Sequence, residues 1–215
     1  TIAETQFGYQ KRVTHVNTSW EGAKFETSMH RFVLAEEPGF GAALINDSIY
    51  GFDVTRDSTE AGVTTNVRLS LLRAPRFPDP ETDQGLQSHR YGLVIGADIA
   101  SATEAGALMN SAERTVTGAH GFDPLVTVEG TGIMLSSVKL AGDRSGDLVV
   151  RVYESLGRRA AGTVNVHRPV ECASVTTLLE DPIEGPGGMA EHTDGSVAIA
   201  LTAFEVRTLR FRLGG

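Results

Sequence analysis

Apolar and polar residues alternate with period two through much of this chain. Val67, Leu69 and Leu71 share one side of an extended segment, while Asn66, Arg68 and Ser70 share the other. The same pattern returns at Tyr91, Leu93 and Ile95, at Leu148, Val150 and Val152, and at Val197, Ile199 and Leu201. It recurs at Leu209, Phe211 and Leu213, opposed by Arg210 and Arg212. Successive side chains of a strand point to opposite faces, so each triplet predicts a strand with one core-facing side. Short strands between turn residues at near-regular spacing predict a mostly-β chain built as an antiparallel β-sandwich.

The punctuation agrees. Asp194-Gly195 lies between two apolar runs and suits a tight hairpin needing positive φ. Asp143 to Asp147 links IMLSSVKL to LVVRVYE in the same way. Pro75, Pro78 and Pro80 forbid a central strand across Arg73–Gly85. Pro182 to Gly188 (PIEGPGG) reads as a loop. The one helical candidate is Ala100–Met109, rich in alanine but short, so packing must hold it. Texture changes near Ser136, from strands with long polar loops to strands with tight turns. This predicts two units, residues 1–136 and 137–215.

At 215 residues with 40% hydrophobic and 21% charged, the chain can bury a core and is not expected to be disordered. A net charge of −8 argues against nucleic acid and against anionic membrane as partners, because both need clustered Lys and Arg. Cys172 is the single cysteine, so no intrachain disulfide forms, and it reads as a small buried hydrophobe. No apolar run approaches the ~20 residues of a membrane helix, and no signal-peptide pattern opens the chain; a cytoplasmic protein is expected.

Candidate chemistry gathers after two strands. GAALINDSIYGFDV, Gly41–Val54, delivers Asn46, Asp47 and Tyr50 to one sheet end. RAPRFPDPETDQG, Arg73–Gly85, carries Arg73, Asp79, Glu81 and Asp83. Asn46-Asp47-Ser48 can form a turn through side chain–backbone bonds, with Asp47 capping it, or present polar groups to a ligand. Tyr50 can stack on a sugar ring or close the core edge. Asp79, Glu81 and Asp83 include a candidate acid–base pair, or are solvated loop carboxylates, with Arg73 paired to Asp79 or Asp83. The histidines, His15, His30, His89, His120, His167 and His192, have no HExxH, HxH or cysteine–histidine spacing, so only ligands converging from distant positions would make a metal site. His30, in TSMHRFVL, reads as a hydrogen-bonded structural histidine. No nucleophile elbow, P-loop or dinucleotide fingerprint occurs. Two sequons, Asn17-Thr18-Ser19 and Asn46-Asp47-Ser48, permit glycosylation only in a secretory setting.

Several segments taken in order resemble the C-terminal part of glycoside hydrolase family 38, the α-mannosidases. RVTHVNTSWEGAKFE (Arg12–Glu26), ALINDSIYGFD and LLRAPRFPDPETDQG resemble that family's "RPTHxNTSWxxAKFE", "ALLNDSKYGYD" and "LLRxPxxPDPxxDQG". SSVKLAGDRSGDLVVRVYESLGRRA and TAFEVRTLRFRL resemble its later landmarks, closest to the bacterial and cytosolic-type branch. One departure stands out: where "DxGxHxFxY" is expected, the chain has Gln87 for the histidine and His89 for the phenylalanine. The resemblance implies a parent enzyme with an N-terminal α/β barrel holding zinc and a nucleophilic aspartate, then a helical bundle, then β domains. This chain is similar only to the β domains. It implies the end of a galactose-mutarotase-like supersandwich followed by a small immunoglobulin-like sandwich. No residue matches the metal ligands or the nucleophile, so no catalytic residue and no cofactor are expected here, and zinc is expected in the parent's barrel. The implied partners are the upstream catalytic barrel of the same polypeptide and, through it, α-mannoside glycans. Asn46, Asp47, Tyr50, Arg73, Asp79 and Asp83 become substrate-rim or architectural residues. A sandwich lacking part of its strands would expose an apolar face and self-associate. The competing expectation is a free-standing β-sandwich carbohydrate-binding module.

Overall fold

Every strand pairing among the described residues is antiparallel, as the period-two texture requires. The computed structural model describes residues 1–60, 62–118, 121 and 123–214, which leaves His120 outside the described residues. The chain divides into two units, Thr1–Arg114 and Thr115–Gly215.

The first unit runs β1 (Ile2–Thr5), β2 (Gly8–Lys11), α1 (Ser19–Gly22), β3 (Thr27–Ser28), β4 (Phe32–Glu37), β5 (Phe40–Asn46), β6 (Gly51–Thr59), β7 (Gly62–Leu69), β8 (Tyr91–Ile95) and α2 (Ile99–Met109). A five-stranded sheet has the order β2-β1-β4-β5-β8, and a three-stranded sheet the order β3-β6-β7. Strand β4 explains the layering. Its Phe32 and Leu34 join Ile2, Ala43, Ile45 and Ala102 in a core beneath α2, while Val33 joins Ala3, Met29, Ile49 and Phe52 in a second core. Val67 and Leu69 of β7 pack on that second core. Helix α2 starts where expected: Asp98 accepts from the Ser101 amide at 2.8 Å and Ser101 Oγ from the Asp98 amide at 2.9 Å, a reciprocal cap.

The second unit runs β9 (Val126–Glu129), β10 (Ile133–Leu140), β11 (Leu148–Glu154), β12 (Ala160–Val166), β13 (Val170–Thr176), β14 (Met189–Ala190), β15 (Ser196–Leu201) and β16 (Val206–Leu213). Sheets β10-β11-β16-β13-β14 and β15-β12-β9 form a sandwich. Leu148, Val150, Val152, Leu209 and Phe211 from one sheet meet Val164, Val197, Ile199 and Leu201 from the other. Here the alternation predicted the inward faces. Asp194 and Gly195 both take positive φ (49° and 81°), the hairpin geometry expected of them. Ser136 is not a joint: it sits inside β10, at a bulge between Leu135 and Ser137. Strand β9 pairs with β12 and Ile133 enters the core of the second unit's sandwich, so the division falls earlier, at Arg114. Loop length marked the apparent change of texture, but strand pairing decides the boundary.

Three further expectations are reversed. Tyr91, Leu93 and Ile95 do not face the core; Val94 packs beneath α2 instead, and the triplet is 59–66% exposed. Leu71 lies beyond the end of β7 and is exposed. Cys172 is exposed rather than buried. No helix among the described residues is long and apolar enough to cross a membrane.

Candidate functional site

The end of β5 builds a polar cluster in the first unit. Asn46 is buried, and its side chain works as a turn scaffold: Oδ1 accepts from the amides of Ser48 (3.0 Å) and Ile49 (2.6 Å), and Nδ2 donates to the His30 carbonyl at 3.3 Å. The turn cap is therefore Asn46 rather than Asp47, and burial of Asn46 in the fold leaves that sequon an architectural element. The other sequon is also used locally, since Thr18 Oγ1 accepts from the Glu21 amide and caps α1.

Asp47 reaches sideways. Its Oδ2 accepts from Arg90 Nε at 2.7 Å, and the Arg90 guanidinium holds the Asp47 carboxyl below its ordinary range. Arg90 also donates to the Met109 carbonyl at 3.2 Å, and Asn110 Nδ2 donates to the Asn46 carbonyl at 2.9 Å, so the end of α2 is tied to the same turn. Ser48 Oγ lies 3.4 Å from His89 Nδ1. Tyr50 is 58% exposed, and its ring stacks on His30 with centroids 6.0 Å apart. Beneath His30, buried Glu4 accepts from the Arg31 amide at 2.8 Å and Arg31 Nε at 2.9 Å, and lies 3.6 Å from His30 Nδ1. Gly51 completes the turn: a Cβ there would collide with the Glu26 carboxylate. The outcome is an exposed Tyr50–His30 face, with Asp47, Ser48 and His89 beside it, on a hydrogen-bonded base.

Arg73, Asp79 and Asp83 do not join this cluster by any hydrogen bond or ion pair among the described residues. Asp79 Oδ1 accepts from the Glu81 amide at 2.9 Å, and Asp83 Oδ2 from the Ala74 amide at 3.1 Å. The expected Arg73 ion pair with Asp79 or Asp83 is not formed among the described residues, because the Asp83 carboxylate braces the Ala74 backbone, which turns at φ 43°. The sequence reading missed Arg90, His89 as a neighbour of Ser48, and Asn110. The signal for Arg90 was available in strand register: Asn46 pairs with Tyr91, which puts Asp47 opposite Arg90. The segment Arg12–Glu26 borders a cleft of about 400 Å³ floored by Phe52, with Arg68 bound to Asp53 at its wall (Nε–Oδ1 2.7 Å). No three His, Cys, Asp or Glu side chains converge as a metal site among the described residues. The residues here do not fit a zinc ion.

Residues 1–81 match the glycosyl hydrolases family 38 C-terminal domain, and residues 132–209 match the glycosyl hydrolases family 38 C-terminal beta sandwich domain. The chain is 33% identical to human alpha-mannosidase 2C1 and 30% to the alpha-mannosidase of Saccharomyces cerevisiae, over 96% of its own length in each case. It spans only 20% of those proteins. The crystal structure of an alpha-mannosidase from Enterococcus faecalis V583 covers 98% of the chain with a TM-score of 0.66 at 18% identity, and this chain corresponds to 24% of it. That likeness is one of fold.

Proposed function

Because this chain belongs to the C-terminal region of glycoside hydrolase family 38, we propose that it is the non-catalytic β region of an α-mannosidase whose upstream barrel hydrolyses α-mannosides. One observation carries the reading: two C-terminal family matches occur in order along a chain that spans a fifth of its relatives. Any zinc belongs to the upstream barrel, and the parent works in the cytoplasm. In this reading Asn46 and Asp47 hold the turn, while Tyr50, stacked on His30, presents its ring and hydroxyl to the rim of the sugar site. An exposed aromatic on a rigid base supplies contact area at small entropic cost, which suits a sugar ring. Arg73, Asp79 and Asp83 form a second, more solvated loop of that rim.

The test is kinetic, on the full-length enzyme. Tyr50→Ala is expected to lower kcat/KM on an α-mannoside about tenfold, the size of a lost aromatic contact, with an unchanged melting temperature. Asn46→Ala is expected to lower the melting temperature instead. Normal kinetics in Tyr50→Ala would remove the rim role. Mannoside binding by the 215-residue chain alone would favour the free-standing carbohydrate-binding module.

A further inference from the structure

An ionised carboxylate can only accept hydrogen bonds, so a ring nitrogen that faces one is driven to carry a proton. That constraint falls on His30. Its Nδ1 lies 3.6 Å from Oε2 of Glu4, a carboxylate only 3% exposed and held by the Arg31 guanidinium and the Arg31 amide. A lone pair on Nδ1 would point at a negative charge at short range and away from solvent, where repulsion is weakly screened. The neutral ring therefore keeps its proton on Nδ1, which leaves Nε2 as an acceptor.

Nε2 meets solvent. It has no hydrogen-bond partner among the described residues, and the buried side-chain nitrogens without one among those residues are Arg12 Nε and His192 Nδ1. The side chain of His30 is 32% exposed. The residue is also fixed in place. Its amide donates to the Glu4 carbonyl at 2.9 Å, its carbonyl accepts from Asn46 Nδ2 at 3.3 Å, and the Tyr50 ring lies over its own at an interplanar angle of 18°. The neighbouring acceptors differ, because they serve the turn itself. Asn46 Oδ1 takes the Ser48 and Ile49 amides, and the Asp47 carboxylate takes Arg90 and Ser48. His30 thus sets an outward acceptor nitrogen, in a defined orientation, beside an exposed aromatic ring.

Resting on the reading that Tyr50 borders the sugar site of an α-mannosidase, we propose that His30 is a specificity-determining residue of that rim, with Nε2 accepting a hydrogen bond from one hydroxyl of the mannoside. Glu4 is the positioning residue: it acts through His30 by holding the ring's proton on Nδ1. A sugar offers hydroxyl donors around an apolar C–H face, so the Tyr50 ring and His30 Nε2 divide its two kinds of surface between them. A site built to bond a hydroxyl also rejects an analogue that lacks it, which an apolar surface does poorly.

The experiment has two arms. On the 215-residue chain, nitrogen-15 correlations of the His30 ring at about pH 8.5, well above the ordinary histidine value, report which nitrogen holds the proton. The Nδ1–H form is expected in the wild type, and Glu4→Gln, which removes the negative charge, is expected to move the ring towards Nε2–H. On the full-length enzyme, His30→Phe keeps a ring under Tyr50 and removes the nitrogen. It is expected to lower kcat/KM on an aryl α-mannoside about tenfold, the size of a lost hydrogen bond. Among monodeoxy mannosides, one is expected to be turned over equally by wild type and His30→Phe, because its missing hydroxyl is the partner of Nε2. An Nε2–H ring in the wild-type chain would overturn the proposal. So would wild-type kcat/KM in His30→Phe, or a loss of the same size on the mannoside and every monodeoxy analogue, which marks a structural ring. An Nδ1–H ring in a protein whose full-length form does not turn over α-mannosides would sink the functional reading and leave the Glu4-set acceptor standing.

Discussion

Glu154 offers the sharpest test of how the second unit holds together. The residue is fully buried at the end of β11 and accepts four backbone N–H groups. Leu156 donates to Oε1 at 2.8 Å, while Gly157 (2.8 Å), Arg158 (3.2 Å) and Phe204 (3.0 Å) donate to Oε2. One side chain therefore caps the Ser155–Arg158 turn and ties it to the segment leading into β16. Glu154→Gln keeps the shape but not the chemistry. With its carbonyl on the Oε2 side, glutamine still serves three donors, each weakened by about 1 kcal/mol on losing charge assistance. Its amide then meets the Leu156 N–H donor to donor, a repulsive contact in place of a charge-assisted bond, at about 1–3 kcal/mol. The sum is about 4–6 kcal/mol. At roughly 4–8 °C per kcal/mol for a unit of this size, the second unit's transition should fall by about 15–50 °C in scanning calorimetry. Glu154→Ala should cost at least as much. A fall of less than about 5 °C, with unchanged exchange at the Gly157 and Phe204 amides, would refute the claim that this carboxylate organises the turn.

Two smaller predictions follow from close contacts and charge. Gly41→Ala would drive a Cβ into the Ala97 carbonyl, with Leu34 Cδ1 at 3.2 Å behind it, so overpacking of about 1–3 kcal/mol should appear as a lower melting temperature of the first unit; an unchanged value would mean the β5–Ala97 crossing can yield. In the second unit, Asp143 bonds the Ser145 amide and Arg210, which brings its carboxyl down to about 2. A depressed carboxyl contributes stability above its ordinary value near 4 and loses it as pH falls towards 2. Urea midpoints of wild type and Asp143→Asn should therefore converge between pH 4 and 2, and a constant gap across that window would contradict the assignment.

The second unit was legible in the sequence because it is closed on itself. Each alternating triplet there, from Leu148 to Phe211, meets an opposing apolar face within the same unit, so the pattern that predicts a strand also predicts its burial. The first unit was legible only in part. Alternation located β8 but assigned it the wrong face, because periodicity reports that a face is apolar and not whether this chain supplies its cover. The helix was visible from its alanine content and was fixed by Asp98 and Ser101. At the candidate site, Asn46, Asp47 and Tyr50 were read from one turn motif, whereas Arg90 and Asn110 enter through register and through the end of α2. Those contacts span 43 and 64 positions, beyond the reach of any local pattern. The Arg73 pairing failed for the opposite reason. Proximity in sequence suggested a salt bridge, but the backbone turn at Ala74 claimed the Asp83 carboxylate first.

The contrast between the units also bears on where function lies. In the second unit part of the family resemblance falls on residues whose work is internal: YESLG supplies the Glu154 cap, and the segment around Phe204 supplies one of its donors. In the first unit the resembling segments leave large side chains in water, among them Trp20, Phe25, Tyr50, Leu72 and Phe77. Burying such groups stabilises a fold, and exposing them does not, so a chain that exposes them across several loops is shaped by contacts beyond itself. Substitutions on the exposed aromatics should therefore register in assembly or kinetics of the full-length enzyme, while substitutions at Glu154 register in folding.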